Sequence, residues 1–509
     1  MPNRNPALAV ALMLVATGCG LLPESKAAPP SHSAAPRSST PAAATPSPSA
    51  APVQAQALAE ARSTMTENLK LEVVGLNRVK GKHLVVQIRL TNTGTKNLSW
   101  TGEMGDNTRP LGKINWASGI GVLDAAAHTW LLPYQPAGSP CLCSDQDRDD
   151  LGYFIHPSES ITVYGVLPAP SGNPATTTVV TPVAPPMLNV PISDDPPAGD
   201  FPDPDAEPVT PVTRRILLPS ESLDKSEETA DDGTDLRVNL SSDVLFAVDK
   251  ATLTRRAQAV LARTGKLIDT SPATVVKVEG HADSSGNDAI NDPLSQRRAQ
   301  AVQRALTGLL SREGVRFQSR GYGSRRPLYS NDTEEGKRRN RRVTVTFAKP
   351  TSQPAAASNP PAPDTGELKA TGKAEGQPIA MEVTGLRRLP GGLGLLTYTI
   401  ANEGTAETWY NELHHAQDWE SYKYQAASNV RLTDAAARRQ YLPGRLQVPT
   451  DDGATNYCAC TDVSGVRIST EKFAPGQTRT FWGLFALPDN ATTLKVSIAS
   501  FRDLEVPVQ

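Results

Sequence analysis

The sequence is poor in the residues that usually carry chemistry. Its 509 residues include 5 Cys, 7 His and 6 Met, and only 5% are Phe, Trp or Tyr. The His residues are scattered, and neither Gly-x-Ser-x-Gly nor His-Glu-x-x-His occurs. The nucleophile elbow of the hydrolases and the zinc-protease helix are therefore missing, and no nucleophile–base arrangement replaces them. A non-catalytic protein without a cofactor or metal is expected. Aromatic residues do not interleave with basic ones as they do where bases stack, so nucleic acid is not expected as a partner. Beyond the N-terminus, no stretch is long and apolar enough to cross a bilayer.

Net charge is also nearly absent, at −2, but this hides two opposite blocks. Residues 241–348 carry 19 basic against 11 acidic side chains, and residues 193–236 carry 13 acidic against 3 basic. A positive segment beside a negative one suits an anionic envelope polymer, or association of the two segments with each other. At this length several domains are expected.

The N-terminus reads as an export signal over 1–18. Arg4 precedes an apolar run from Ala7 to Thr17, too short for a bilayer span but suited to a signal core. The run closes on Ala16-Thr17-Gly18-Cys19, which resembles a bacterial lipoprotein signal, and that resemblance implies cleavage before Cys19 and lipid on its sulfur. An ordinary secretory signal is the alternative. Pro, Ala and Ser then dominate 19–64, a composition that cannot bury a core and implies a disordered stalk.

Two similar segments follow, far apart in the chain. Leu71-Glu72-Val73-Val74-Gly75-Leu76 returns as Met381-Glu382-Val383-Thr384-Gly385-Leu386. Asn92, Gly94 and Thr95 return as Asn402, Gly404 and Thr405, and Cys141-Leu142-Cys143 returns as Cys458-Ala459-Cys460. Short β-branched runs separated by turn residues predict strands throughout. The expected fold is a duplicated all-β unit, each copy an immunoglobulin-like sandwich, over 65–192 and 377–509. The acidic, Pro-rich 193–236 and the Pro/Ala/Gly-rich 349–376 read as flexible linkers.

Between them, 237–348 has a mixed pattern. Val244 to Val248 reads as a strand, and Leu253, Ala257, Val260, Leu261, Leu267 and Ile268 recur at helical spacing. Thr274 to Glu279 alternates as a half-buried strand. Asp292 is suited to cap a helix and Pro293 to its first turn, with Leu294, Ala299, Val302, Leu306, Leu309 and Leu310 along one face. Strands at 317–321 and 343–347 complete a β-α-β-α-β-β sandwich of the α+β class.

This segment resembles the OmpA-like C-terminal domain family. The resemblance rests on Gly280-His281-Ala282-Asp283, Asn291-Asp292-Pro293-Leu294-Ser295-Gln296-Arg297-Arg298-Ala299, Gly321-Tyr322-Gly323 and Asn340-Arg341-Arg342-Val343. Ala282 stands where the family usually has Thr, and Lys337 where it more often has Arg. The resemblance implies peptidoglycan binding through the zwitterionic end of diaminopimelate. Asp283 would take the ammonium and Arg298 the carboxylate, with Asn291, Gly280 and Arg342 in the same site. The residue types suit that chemistry: a carboxylate pairs with an ammonium, and a guanidinium offers a planar fork to a carboxylate. An internal Asp283–Arg298 salt bridge is the structural alternative. Arg297 is read as a solvated neighbour.

With Cys19 assigned to lipid, Cys141, Cys143, Cys458 and Cys460 form an even set in an exported protein. Disulfides are the default reading, either within each pair or between copies, with a soft-metal site as the sharper alternative near His414 and His415. The expected function is a lipid-anchored tether between membrane and wall. It would lie in the cell membrane of a Gram-positive organism or the outer membrane of a Gram-negative one. A surface adhesion module, with the β units binding an unknown protein partner, is the runner-up.

Overall fold

The computed structural model describes residues 56–509, apart from 101–102, 107–115, 140, 147, 351–367, 415–421, 424–425, 451–452 and 462–471. The signal, Cys19, His415 and residues 19–55 of the expected stalk lie outside the described residues. The end of that expected stalk is not a stalk. Ala59–Arg62 is a strand paired antiparallel with Leu69–Val79.

In the first β unit, Ala59–Arg62, Leu69–Val79, His83–Asn92 and Ser160–Pro168 form one sheet in that order. Ala184–Pro191, Thr176–Thr181, Gly121–Asp124 and Thr129–Pro136 line up in a second. Leu71, Val73, Leu84, Val86, Ile88 and Leu90 from the first pack with Val122, Val179, Met187 and Val190 from the second. Complete burial of such side chains contributes about 1.5–3 kcal/mol each before chain entropy is counted.

The second unit repeats the first sheet with Lys369–Ala374, Gln377–Leu389, Leu393–Asn402 and Thr478–Ala486 in the same order. The register shift between Val73 and Gly75 recurs between Val383 and Gly385. The repeated Asn has a physical role in both copies. Buried Asn92 donates to the Lys96 and Ile155 carbonyls at 2.7 and 2.8 Å, and Asn402 to those of Ala406 and Phe473 at 2.9 and 3.0 Å. Each Asn also accepts from the Gly two residues on, at 2.9 Å. The side chain thus closes an Asx turn and ties down a neighbouring loop. Disulfides join Cys141 to Cys143 and Cys458 to Cys460, all four residues buried. Bridging is therefore within each pair.

The acidic segment does not behave as a flexible linker. Val209–Ser222 forms a long strand, here β1, followed by β2 (Glu227–Asp231) and β3 (Asp235–Ser241). The early acids are also tied down: Asp194 pairs with Arg78, and Asp203 and Asp205 pair with Lys80. Val209 to Arg215 of β1 pair with Thr129–Pro136 of the first β unit. Arg215 to Leu217 pair with Arg445–Thr450 of the second, and Ser220 to Ser222 with Arg439–Tyr441. Leu218 to Glu221 pair on the other edge with β2. One strand therefore belongs to both β units and leads into the central sheet. Val212, Ile216 and Leu218 insert into a core shared with Trp130 and Leu132 of the first unit and Leu395, Leu446, Trp482 and Leu484 of the second. Lys369–Ala374, expected inside the second linker, is likewise a strand.

The central domain continues as α1 (Ser242–Leu245), α2 (Arg255–Thr270), β4 (Val275–Gly280), α3 (Asp288–Leu309), β5 (Arg316–Gly321), α4 (Glu334–Asn340) and β6 (Arg342–Ala348). Its sheet runs β1-β2-β3-β6-β4-β5, with β4 and β5 parallel. Val276, Val278, Val343, Val345 and Phe347 pack with Ala257, Val260, Leu261 and Ile268 of α2 and Ala299, Val302 and Leu306 of α3. Two expectations fail locally. Residues 244–248 are not a strand: β3 ends at Ser241, paired with Arg342, and a helical turn buries Leu245 while Val248 stands 86% exposed. Helix α3 also starts before Asp292. Asn287 caps it by accepting from the Ile290 N–H at 3.1 Å, Pro293 lies inside it, and Asp292 pairs with Arg325 instead.

The shared strand makes a thermodynamic prediction. Ile216→Ala leaves a cavity in the three-way core and should cost about 2–5 kcal/mol. Urea unfolding followed by Trp fluorescence should shift together with the loss of helical circular dichroism from α2 and α3. Separate transitions would show that β1 does not couple the units.

Candidate functional site

Asp283 follows the C-terminal end of β4, where the sheet delivers the chain into the loop before α3. Its Oδ1 accepts from the Ser285 N–H at 2.8 Å, and its Oδ2 accepts from Arg341 Nη1 at 2.7 Å. Arg341 is a double clamp, since its Nε and Nη2 also donate to Asp243 at 3.0 and 2.8 Å. These hydrogen bonds, first to Asp243 and then to Asp283, raise the Arg341 pKa against the opposing effect of burial.

Arg298 sits on the buried side of α3, while Arg297 faces solvent. Its guanidinium lies over the Phe246 ring at 5.3 Å, and its Nε donates to the Lys250 carbonyl at 3.1 Å. Among the described residues, its two terminal nitrogens hydrogen-bond to nothing and are not sealed from solvent. Desolvation lowers its pKa, while Asp243, Asp249 and Asp283 nearby favour the charge. Asp283 and Arg298 are close enough to interact electrostatically, yet they do not form an ion pair with each other. The arrangement is a buried cation with a presented fork, beside a carboxylate whose geometry is held by a second Arg.

The other expected residues divide. Asn291 is near the site and donates from Nδ2 to the Ser285 carbonyl at 2.9 Å, bracing the loop after Asp283. Gly280 serves packing: a Cβ there would stand 2.1 Å from the Ser295 carbonyl oxygen, so its lack of a side chain lets α3 seat on β4. Arg342 is not brought to Asp283. It donates to the Asn340 and Arg326 carbonyls, and it lines a cleft with Glu221, Glu227, Glu228 and Arg339. Burial pulls its guanidinium down to about 10.

The arginine that meets Asp283 is Arg341. Strand parity carried that signal. Val343, Val345 and Phe347 turn into the core with the helices, Arg341 shares their parity, and Arg342 shares that of Thr344 and Thr346. Asn340 carries a support that sequence reasoning did not anticipate. Its Oδ1 accepts from the Leu328 and Tyr329 N–H groups at 2.9 and 3.1 Å, and its Nδ2 donates to Asn331 Oδ1 at 3.0 Å. The same Asn331 oxygen accepts from the Ser284 N–H at 3.1 Å, beside Asp283.

With this geometry in place, comparison with known proteins is informative. The OmpA family profile matches residues 245–341. YfiB of Escherichia coli is 31% identical over 118 residues, spanning 23% of this chain and 72% of that protein. The chain belongs to the OmpA family.

Two further relatives match over segments of similar length. Outer membrane porin F of Pseudomonas aeruginosa is 41% identical over 106 residues, covering 21% of this chain and 30% of that protein. Probable lipoprotein YiaD of Escherichia coli is 35% identical over 119 residues, covering 23% and 52%. The chain thus spans about a third of porin F and half of YiaD.

The OmpA-family domain also buries a neutral His. His281 is 3% exposed and stacks on Tyr322 at 5.5 Å. Desolvation, with Arg342 and Arg326 adding repulsion, pushes its pKa down to about 3. In the unfolded chain it returns to roughly 6.5. Below that pH the unfolded state gains a proton that the folded domain does not, so stability is full above about pH 6.5 and falls toward pH 3. Between about pH 7 and pH 5 the loss should be roughly 2 kcal/mol. Urea midpoints at the two pH values should fall less for His281→Gln; equal falls would show that His281 titrates normally when folded.

Proposed function

We propose that the central domain binds peptidoglycan without cutting it, by gripping the zwitterionic end of diaminopimelate. Arg298 offers its open terminal nitrogens to the carboxylate. Asp283, oriented by Arg341 and Ser285, takes the ammonium. The observation that carries this reading is the Arg298 fork, buried on one side, beside a carboxylate to which it is not paired. Membership of the OmpA family supports it, and relatives named as an outer membrane porin and a lipoprotein support a place in the cell envelope. The β units and central domain together form the body of an exported envelope protein, held to a membrane through lipid on Cys19.

Charge-assisted hydrogen bonds contribute roughly 1.5–3 kcal/mol, so Asp283→Ala and Arg298→Ala should each weaken binding about tenfold to a hundredfold. Exposed Arg297→Ala is the control and should bind like wild type. The measurement is titration with a diaminopimelate-containing peptide at two salt concentrations, together with a sacculus pull-down. Equal losses for Arg297 and Arg298, fading steeply with salt, would point to a diffuse electrostatic contact instead.

The anchor has its own test. Metabolic labelling with a fatty-acid analogue should mark the wild type and leave Cys19→Ala unlabelled. Equal labelling of the two would reject lipidation at Cys19.

A further inference from the structure

The loop that braces Asp283 is connected to parts of the chain outside the OmpA-family domain. Tyr329 is 7% exposed, and its hydroxyl donates to Glu228 Oε1 at 2.6 Å. Glu228 belongs to β2, one of the strands that extend the domain's sheet. Arg445, the first residue of a strand in the second β unit, is close enough to interact electrostatically with Tyr329 and Glu228. Arg339 covers the Tyr329 ring at 4.9 Å and donates to its hydroxyl at 3.3 Å. Tyr329 in turn lies two residues before Asn331, and the Asn340 side chain bonds both residues at once. Asn331 accepts the Ser284 N–H, and Ser284 follows Asp283 directly.

We propose that Tyr329 is a positioning residue through which strand β2, itself paired to β1 and through it to the second β unit, sets the ligand-binding loop. Glu228 holds the phenol from outside the family domain. The backbone from Tyr329 to Asn331 carries that restraint to Ser284, and so to the orientation of the Asp283 carboxylate. Strand β2 is then a regulator of wall binding: whatever displaces Glu228 from Tyr329 loosens the ligand loop. This rests on the reading that the ligand engages Asp283.

The plain alternative is that Tyr329 only stabilises the seam. The two differ in what happens at Ser284. In the full-length chain, Tyr329→Phe removes the hydroxyl and keeps the ring under Arg339. Amide hydrogen exchange at Ser284 and Ser285 should accelerate, while protection in β3 and β6 stays unchanged. Affinity for diaminopimelate-containing peptide should fall about threefold to thirtyfold, the range for couplings carried through a contact network. Glu228→Gln, which keeps an acceptor for the hydroxyl, should shift both readouts in the same direction by less, and it serves if Tyr329→Phe fails to fold. Adding Tyr329→Phe to Asn331→Ala should change Ser284 exchange no further, since the route already ends at Asn331.

Unchanged Ser284 exchange in Tyr329→Phe, or additive effects in the double variant, would overturn the proposal. If the wild type does not bind the peptide, the ligand reading fails instead. The exchange measurement still decides whether Tyr329 positions the loop.

Discussion

Everything in this structure depends on the two hydrogen-bonding edges of one strand. An isolated strand exposes unpaired N–H and C=O groups along its length, and burying them unpaired is costly. Strand β1 satisfies them with partners from three places: Arg215 is paired to both β units at once, one on each edge, and Ser220 to the second β unit on one edge and β2 on the other. A segment so placed cannot leave one unit without unpairing groups in another. The apolar residues of β1 reinforce this, because Ile216 and Leu218 fill a core to which Trp130 and Trp482 contribute from different units. The three units therefore form one body joined by backbone pairing, and the strand that joins them lies in a segment whose composition resembled a tether.

The reason it resembled a tether is instructive. Pro and acidic residues dominate 193–236, and both are poor strand formers. The prolines sit where a strand tolerates them. Pro211 falls at the register shift between Thr210 and Val212, and Pro219 offers its carbonyl to the Leu442 N–H. The acids have partners distant in sequence. Glu221 meets Arg339, Glu227 meets Arg263 and Arg439, and Asp205 meets Lys80 and Lys82. None of these pairings is local, so no sequence window contains them. The apolar run Ile216-Leu217-Leu218 was the remaining signal, and it is too short to stand out between prolines.

The duplication, by contrast, was legible because its markers are local. An Asx turn is closed within a few residues, and a Cys-x-Cys bridge within three. The candidate site was legible in part for a similar reason. Asp283 and Arg298 were identified through a family resemblance, and the α3 face that buries Arg298 follows from the spacing of its apolar residues. Where the reading failed, it needed the third dimension. Gly280 is small because a helix backbone lies against it, which no turn pattern announces. Arg341 and Arg342 are neighbours in sequence on opposite sides of a strand, and choosing between them required carrying the alternation of Val343 and Val345 back by one step.

The same pairings change how the charge of the central domain should be understood. Read along the sequence, 241–348 has a large basic excess that could attract any polyanion. In the folded chain, part of that excess is taken up by the acidic strands beside it, through Arg263, Arg339 and the cleft lined by Arg342. The cations left exposed include Lys277 on β4 and Arg316 and Arg320 on the edge strand β5. Such scattered surface charges act over roughly 8–10 Å at physiological salt and are insensitive to ligand geometry. The Arg298 fork differs in kind: it is partly desolvated, its direction is set by Phe246 and the Lys250 carbonyl, and its counter-charge is held in place by Arg341. Short-range geometry of this sort discriminates between ligands of equal charge, whereas a basic surface does not. Neutralising the broad field while leaving one oriented cation open favours recognition of a zwitterion over attraction to a polyanion.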